Sequence, residues 1–201
     1  FLPTNIVFAQ GSKVYVNSAS GDDSNNGATS DSALKTINKA YEVIAQSGGV
    51  IVICNKYELP VTFKEPVHSG AVTITGNDGI TDYAASGAEL FLPSGGSYLL
   101  SGATTFKDIR INYIGEIYFV ANFNPIVFDT GVITISDNIS TPGICVYGGH
   151  SSPLTLDNVP LNLDSHITIK SGTLYKVVYG FTRKKGSATL TYTGTSHITV
   201  E

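Results

Sequence analysis

The sequence predicts an all-β solenoid with one helix near its N-terminal end, and three features of the chain support it. Short apolar runs follow one another at roughly 8 to 12 residue intervals, the spacing that many short strands require. A single amphipathic stripe of helical period precedes them. Toward the other end Ser165-His166-Ile167-Thr168 recurs as Ser196-His197-Ile198-Thr199, and Val146-Tyr147-Gly148 recurs as Val178-Tyr179-Gly180 at almost the same separation. A fixed separation within the range of about 20–50 residues points to stacked coils. The competing all-β arrangement, a closed sandwich, needs no such period.

Composition narrows the class further. The 201 residues give room for one ordinary domain or two very small ones. With 42% hydrophobic and only 14% charged residues the chain is too apolar for disorder and too uncharged for a coiled coil. Its 21 glycines and 8 prolines follow no collagen period. Twelve Lys and Arg against sixteen Asp and Glu leave a formal charge of −4, which offers no electrostatic footprint for nucleic acid or an anionic membrane.

The chain opens on Phe1-Leu2-Pro3-Thr4-Asn5-Ile6-Val7-Phe8-Ala9, and Val7-x-Ala9 has the small-residue pattern of a signal-peptide cleavage site. We therefore expect residues 1–9 to be a signal-peptide remnant; the alternative is a short edge strand. Residues 10–49 are expected to form an N-terminal cap and residues 50–201 a run of coils that stops in mid-strand, as in a fragment of a longer exported protein. No later apolar run approaches the ~18 residues of a membrane helix.

The helix is expected over residues 32–47, where Leu34, Ile37, Tyr41 and Ile44 form one stripe. Ser30, Asp31 or Ser32 can cap its start, and Gly48-Gly49 can end it. Strands then follow at Val50 to Cys54, Val72-x-Ile74, Leu90-x-Leu92, Ile109-x-Ile111-x-Tyr113, Ile117-x-Phe119, Ile133-x-Ile135, Ile144 to Tyr147, Ile167-x-Ile169, Leu190-x-Tyr192 and Ile198-x-Val200. Each should bury alternate residues. Gly76-Asn77-Asp78-Gly79 and Gly95-Gly96 supply turns between them.

Four segments in order carry a resemblance. They are Val14-Tyr15-Val16-Asn17, Gly21-Asp22-Asp23-Ser24-Asn25-Asn26-Gly27, Ala33-Leu34-Lys35-Thr36-Ile37-x-Lys39-Ala40 and Gly49-Val50-Ile51-Val52-Ile53. This order of strand, Asx-rich loop, helix and first coil resembles the opening of right-handed parallel β-helix proteins of the pectin-lyase-like superfamily. The resemblance covers the stretch from Val14 to Ile53. It implies an N-terminal helix that plugs the end of the solenoid and says little about activity. Downstream, the segments from Tyr98 to Ile111, around Val146-Tyr147-Gly148-Gly149 and over Ser165–Gly180 resemble bacterial surface β-helix proteins.

Candidate chemistry is sparse. Asp22-x-Ser24-x-Asn26-Gly27 matches the first half of a calcium loop, but the twelfth position is Ala33 where a bidentate Glu belongs. A weak Ca2+ site on Asp22, Asp23 and Asn25 competes with an Asx turn leading into the helix. Lyases and hydrolases on this fold use clustered carboxylates and a basic residue. Asp108-x-Arg110 is the one place where an acid and an arginine fall two apart on an expected strand; a surface ion pair explains it equally well. Asp157 and Asp164 flank a short run and lack a second acid in register. His68, His150, His166 and His197 show no metal-ligand spacing, and the repeat makes His166 and His197 a stacked ladder. Cys54 and Cys145 lie three to four coils apart at about 25 residues per coil, roughly 15 Å at the inter-strand spacing, so two buried thiols are expected rather than a disulfide.

Tyr113, Tyr147 and Tyr179, among a larger tyrosine set with Tyr98, Tyr118, Tyr175 and Tyr192, could present rings to a sugar. Half of such a set should be core. Arg183-Lys184-Lys185 reads as a solvated turn. The expectation is therefore a secreted or cell-surface β-helix module that binds a polysaccharide or surface glycan without turning it over. The alternative is a polysaccharide lyase or glycoside hydrolase.

Overall fold

The computed structural model describes residues 12–44, 47–136, 143–149, 163–172, 177–181 and 193–201. The 1–9 segment, His150, Asp157, Tyr175, the Leu190-x-Tyr192 strand and the Arg183-Lys184-Lys185 cluster lie outside them.

Among the described residues, short strands build three parallel sheets. The first sheet runs β1 (Lys13–Val16), β2 (Gly49–Ile53), β5 (Val72–Thr75), β8 (Thr104–Lys107), β11 (Ile126–Phe128), β14 (Ser165–Ile169) and β16 (Ser196–Val200). The second runs β3 (Lys56–Glu58), β6 (Glu89–Leu92), β9 (Arg110–Tyr113) and β12 (Ile133–Ser136). The third runs β4 (Thr62–Lys64), β7 (Ser97–Leu99), β10 (Glu116–Val120), β13 (Gly143–Tyr147) and β15 (Val177–Tyr179). From β2 to β14 the chain visits the sheets in fixed rotation, and each strand pairs in parallel with one from an adjacent round. Parallel pairing throughout removes the antiparallel sandwich. The arrangement is compatible with a parallel β-helix.

Alternation along each strand sends one set of side chains into a shared interior. Val14, Ile51, Ile74, Phe106, Phe128 and Ile169 occupy successive register positions across the first sheet, and all are buried. Each contributes about 1.5–3 kcal/mol by leaving water. The repeats noted in the sequence are register repeats. His166 pairs with His197, and Tyr147 with Tyr179.

Strands β3, β4, β7, β8, β11 and β15 escaped sequence reading. The first three have only three residues and one inward side chain each, Tyr57, Phe63 and Tyr98, too little for a visible alternation. At β12 the expectation fails differently. Ile133 is 52% exposed, because Val132 fills the core position one residue earlier and a period of two then turns Ile133 outward. Thr134 and Ser136 fall in register with inward Ile111 and Tyr113.

The helix is shorter than expected. A 3-10 turn covers Ser30–Ser32, capped by Thr29, and the α-helix α1 spans Ile37–Ile44. Leu34 cannot join it because its backbone is bridged to β1: its N–H donates to the Tyr15 carbonyl and its own carbonyl accepts from the Asn17 N–H. The stripe itself is intact, with Leu34, Ile37, Tyr41 and Ile44 all buried. Thr36 Oγ1 caps α1 by accepting from the Lys39 N–H at 3.1 Å, and Gly48 ends the segment at φ 70°. The helix packs against β1 and β2.

One polar cluster is sealed inside. The Glu65 carboxylate accepts from Tyr41 OH at 2.7 Å, Thr104 Oγ1 at 2.9 Å, the Ser101 N–H at 3.0 Å and His68 Nε2 at 3.2 Å. His68 Nδ1 donates to the Gly70 carbonyl at 2.8 Å, and with Nε2 against the Glu65 carboxylate this setting favours the protonated imidazole. Gly102 lies against that ring so closely that any Cβ there would collide with it. The cluster ties α1 to the turn after β4 and to β7 and β8.

Candidate functional site

Because inward positions are spent on the core, the described strands can meet a ligand only through their outward rows. In parallel, in-register strands those rows form ladders.

The second sheet carries the most diverse ladder. Lys56, Glu89 and Arg110 occupy one outward row, followed by Ile133, while Glu58, Phe91, Asn112 and Ile135 occupy the next. Glu89 Oε1 lies 3.4 Å from Lys56 Nζ, and Asn112 Nδ2 donates to Glu89 at 3.3 Å. Lys56 Nζ also sits 4.1 Å from the centroid of the Phe91 ring. Two further polar atoms here, Arg110 Nε and Asn112 Oδ1, are buried and have no hydrogen-bond partner. An unmet buried donor or acceptor costs about 1–3 kcal/mol. Lys56, Glu89, Arg110 and Asn112 together set donors and acceptors along one outward face, which suits a hydroxyl-rich ligand, whose OH groups both give and accept.

Asp108, expected beside Arg110 on one strand face, is not on the strand. It occupies the bend before β9 at φ 45°, with its N–H donating to the Thr130 carbonyl and its own carbonyl accepting from Gly76. Strand alternation does not apply across such a bend. The acid in register with Arg110 is Glu89, from the preceding round of chain. Sequence spacing could not reveal it, since the stretch of chain from Lys56 to Glu89 is longer than the one from Glu89 to Arg110, and unequal rounds leave no constant period to follow.

The tyrosine ladder is also different from the expectation. Tyr113 is fully buried in the central core, and Tyr147 is 2% exposed, so neither offers an open ring face. Tyr147 belongs to a smaller apolar cluster on the outward side of the third sheet with Val120 and Cys145, flanked by Leu99, Tyr118 and Tyr179. It is packed there because Tyr179 stacks on it at 4.9 Å and 7° while Tyr118 tilts over it at 6.1 Å. Tyr179 is the half-exposed end of that stack.

The Asx-rich loop is organised around backbone. Asp23 Oδ1 accepts from the Lys35 and Thr36 N–H groups at 2.9 and 2.8 Å, and its Oδ2 accepts from Thr36 Oγ1 at 2.8 Å. Asp22 Oδ1 accepts from the Ser24 N–H at 2.8 Å, which holds the Asp22 carboxyl below its usual range. Asn25 Nδ2 donates to the Ala33 carbonyl. These side chains serve the turn and the entry to α1, as the Asx-turn reading expects. Replacing Asp23 by alanine is expected to lower stability by about 1–2 kcal/mol, as for a lost helix cap. Urea unfolding would register it; the exposed Asp31→Ala control should stay within about 0.5 kcal/mol.

Cys54 and Cys145 are not joined in a disulfide. Cys145 is buried, but Cys54 is only half-buried, in contrast to the expectation of two buried thiols. Burial still pushes the Cys54 thiol up to about 11, so it is a poor nucleophile. Among the described residues, one group has the composition of a metal centre: Asp164, His166 and His197. No helix among the described residues is long and apolar enough to cross a membrane.

No protein-family model matches the sequence, and neither a curated protein nor a solved structure matches it.

Proposed function

We propose that the chain is part of a secreted or cell-surface, right-handed parallel β-helix of the pectin-lyase-like kind that binds an extended polysaccharide without cleaving it. The handedness rests on the strong physical preference of parallel β crossovers for the right-handed sense. The plugging role assigned to α1 rests on its packing against β1, the edge strand of the first sheet. The observation that carries the binding role is the outward face of the second sheet, where Lys56, Glu89 and Arg110 stand in one in-register row and Asn112 in the next. Polysaccharide chains are extended and repetitive, and so is a ladder of in-register strands. Sugar hydroxyls meet the charged and amide groups of that ladder, which both donate and accept.

The alternative, a lyase or hydrolase, draws on the same face, because Glu89 lies in register with both Lys56 and Arg110. In the non-catalytic reading those cations and Asn112 neutralise and orient Glu89. One experiment separates the two. The full chain is tested on a glycan array while released reducing and unsaturated ends are measured. Arg110→Ala and Asn112→Ala are each expected to weaken retention about tenfold, with no product from any form. Retention unchanged in both variants would sink the assignment of this face, and product formation would make the protein an enzyme. Tyr179→Ala reports on the third sheet; a loss confined to that variant would move the site there.

A further inference from the structure

We propose that Asp164, His166 and His197 bind a divalent transition-metal ion, Zn2+ first among them, that clips strand β16 to β14. The two histidines come from the repeated Ser-His-Ile-Thr segments and pair directly in register. Their rings stack at 4.7 Å between centroids and 3° between planes. Asp164 precedes His166 by two positions and so falls on the same side of the chain. Its Oδ1 accepts from the Thr195 N–H at 2.6 Å, which fixes the carboxylate over the gap between the two segments. One ligand atom from each of the three residues lies within 4.8 Å of the other two, and all three residues are exposed.

Chemistry selects the ion. Two imidazole nitrogens and one carboxylate oxygen suit a borderline cation such as Zn2+, Co2+ or Ni2+, whereas Ca2+ and Mg2+ prefer all-oxygen shells. Zinc holds nitrogen at about 2.0–2.1 Å in tetrahedral geometry, so two imidazoles sharing one ion bring their nitrogens to about 3.4 Å. The rings stand at inter-strand spacing and must lean together by a modest side-chain rotation, which exposed side chains accomplish at low cost. Water completes the fourth position. Because the ligands span two strands, occupancy stabilises their pairing by mass action.

The test is a calorimetric titration of the untagged, chelator-treated full chain with zinc chloride at a fixed pH of 7.5, since metal binding to imidazole depends on pH. One Zn2+ per chain is expected, with His166→Ala and His197→Ala each weakening binding at least tenfold and Asp164→Asn weakening it less. Magnesium chloride should give no binding. Zinc should also raise the Tm of the wild type and leave that of His197→Ala unchanged. The proposal is overturned by an absence of zinc binding, by unchanged affinity in both histidine variants, or by an equal Tm rise in His197→Ala.

Discussion

Replacing Glu65 by alanine is expected to destabilise the protein by about 3–5 kcal/mol, the range for a buried ion pair robbed of one partner. Glu65 and His68 side chains are both fully shielded from solvent. Removing the carboxylate leaves Tyr41 OH, Thr104 Oγ1, the Ser101 N–H and His68 Nε2 facing an apolar interior without their acceptor. Urea unfolding followed by circular dichroism would measure the loss; a change under about 1 kcal/mol would show that the cluster does not hold the turn. The milder Glu65→Gln keeps the volume and one acceptor oxygen but turns the other into a donor, so it should fold with a smaller loss.

The same pair sets a pH dependence with a definite sign. Burial pulls the His68 pKa down, but the hydrogen bonds to Glu65 and the Gly70 carbonyl and the Glu65 charge together carry it above the ordinary value of 6.5. A raised histidine pKa in the folded state means that folding binds a proton. The stabilisation is fully present below 6.5 and is lost as pH rises through the folded value. Stability should therefore decline with pH from 6.5 upward in the wild type. In Glu65→Gln this slope should be absent. A wild-type stability that rises over that interval would contradict the protonated assignment.

The second large effect is expected at Phe106. Its ring meets Tyr98 edge-on at 5.4 Å, Phe119 edge-on at 5.3 Å and Phe128 in a stack at 5.4 Å, and it is fully buried. Its position on β8 places it between Ile74 and Phe128 in the inward ladder. Phe106→Ala removes the ring and leaves a cavity that neighbours fixed on parallel strands cannot fill, at about 3–5 kcal/mol. Val67→Ala, at a site 80% exposed, serves as the control and should stay within about 0.5 kcal/mol. Equal unfolding midpoints for the two variants would mean that this aromatic column carries no stability.

Legibility in the sequence followed strand length and local periodicity. The longer alternating runs were visible, as was the buried stripe from Leu34 to Ile44, because burial writes itself into spacing. Three-residue strands such as β4 were not, because a single inward Phe63 has no period. At β12 the spacing misled, since Val132 took the core position that Ile133 was expected to fill.

The candidate sites were less legible for a related reason. Arg110 could be singled out, but the acid beside it is Glu89 rather than Asp108, and the metal-type group required Asp164 to be pinned by Thr195 from the next segment. The amino-acid sequence alone determined the β class, the helix near the N-terminal end, the low charge and the repeated His and Tyr positions, since each depends on composition or on a local period. Only the tertiary structure decided which residues are neighbours across rounds of chain, because connecting loops of unequal length shift the register without leaving a periodic trace. It also decided which tyrosines are sealed. Alternation says only that a side chain points inward or outward, and burial then depends on what packs over it.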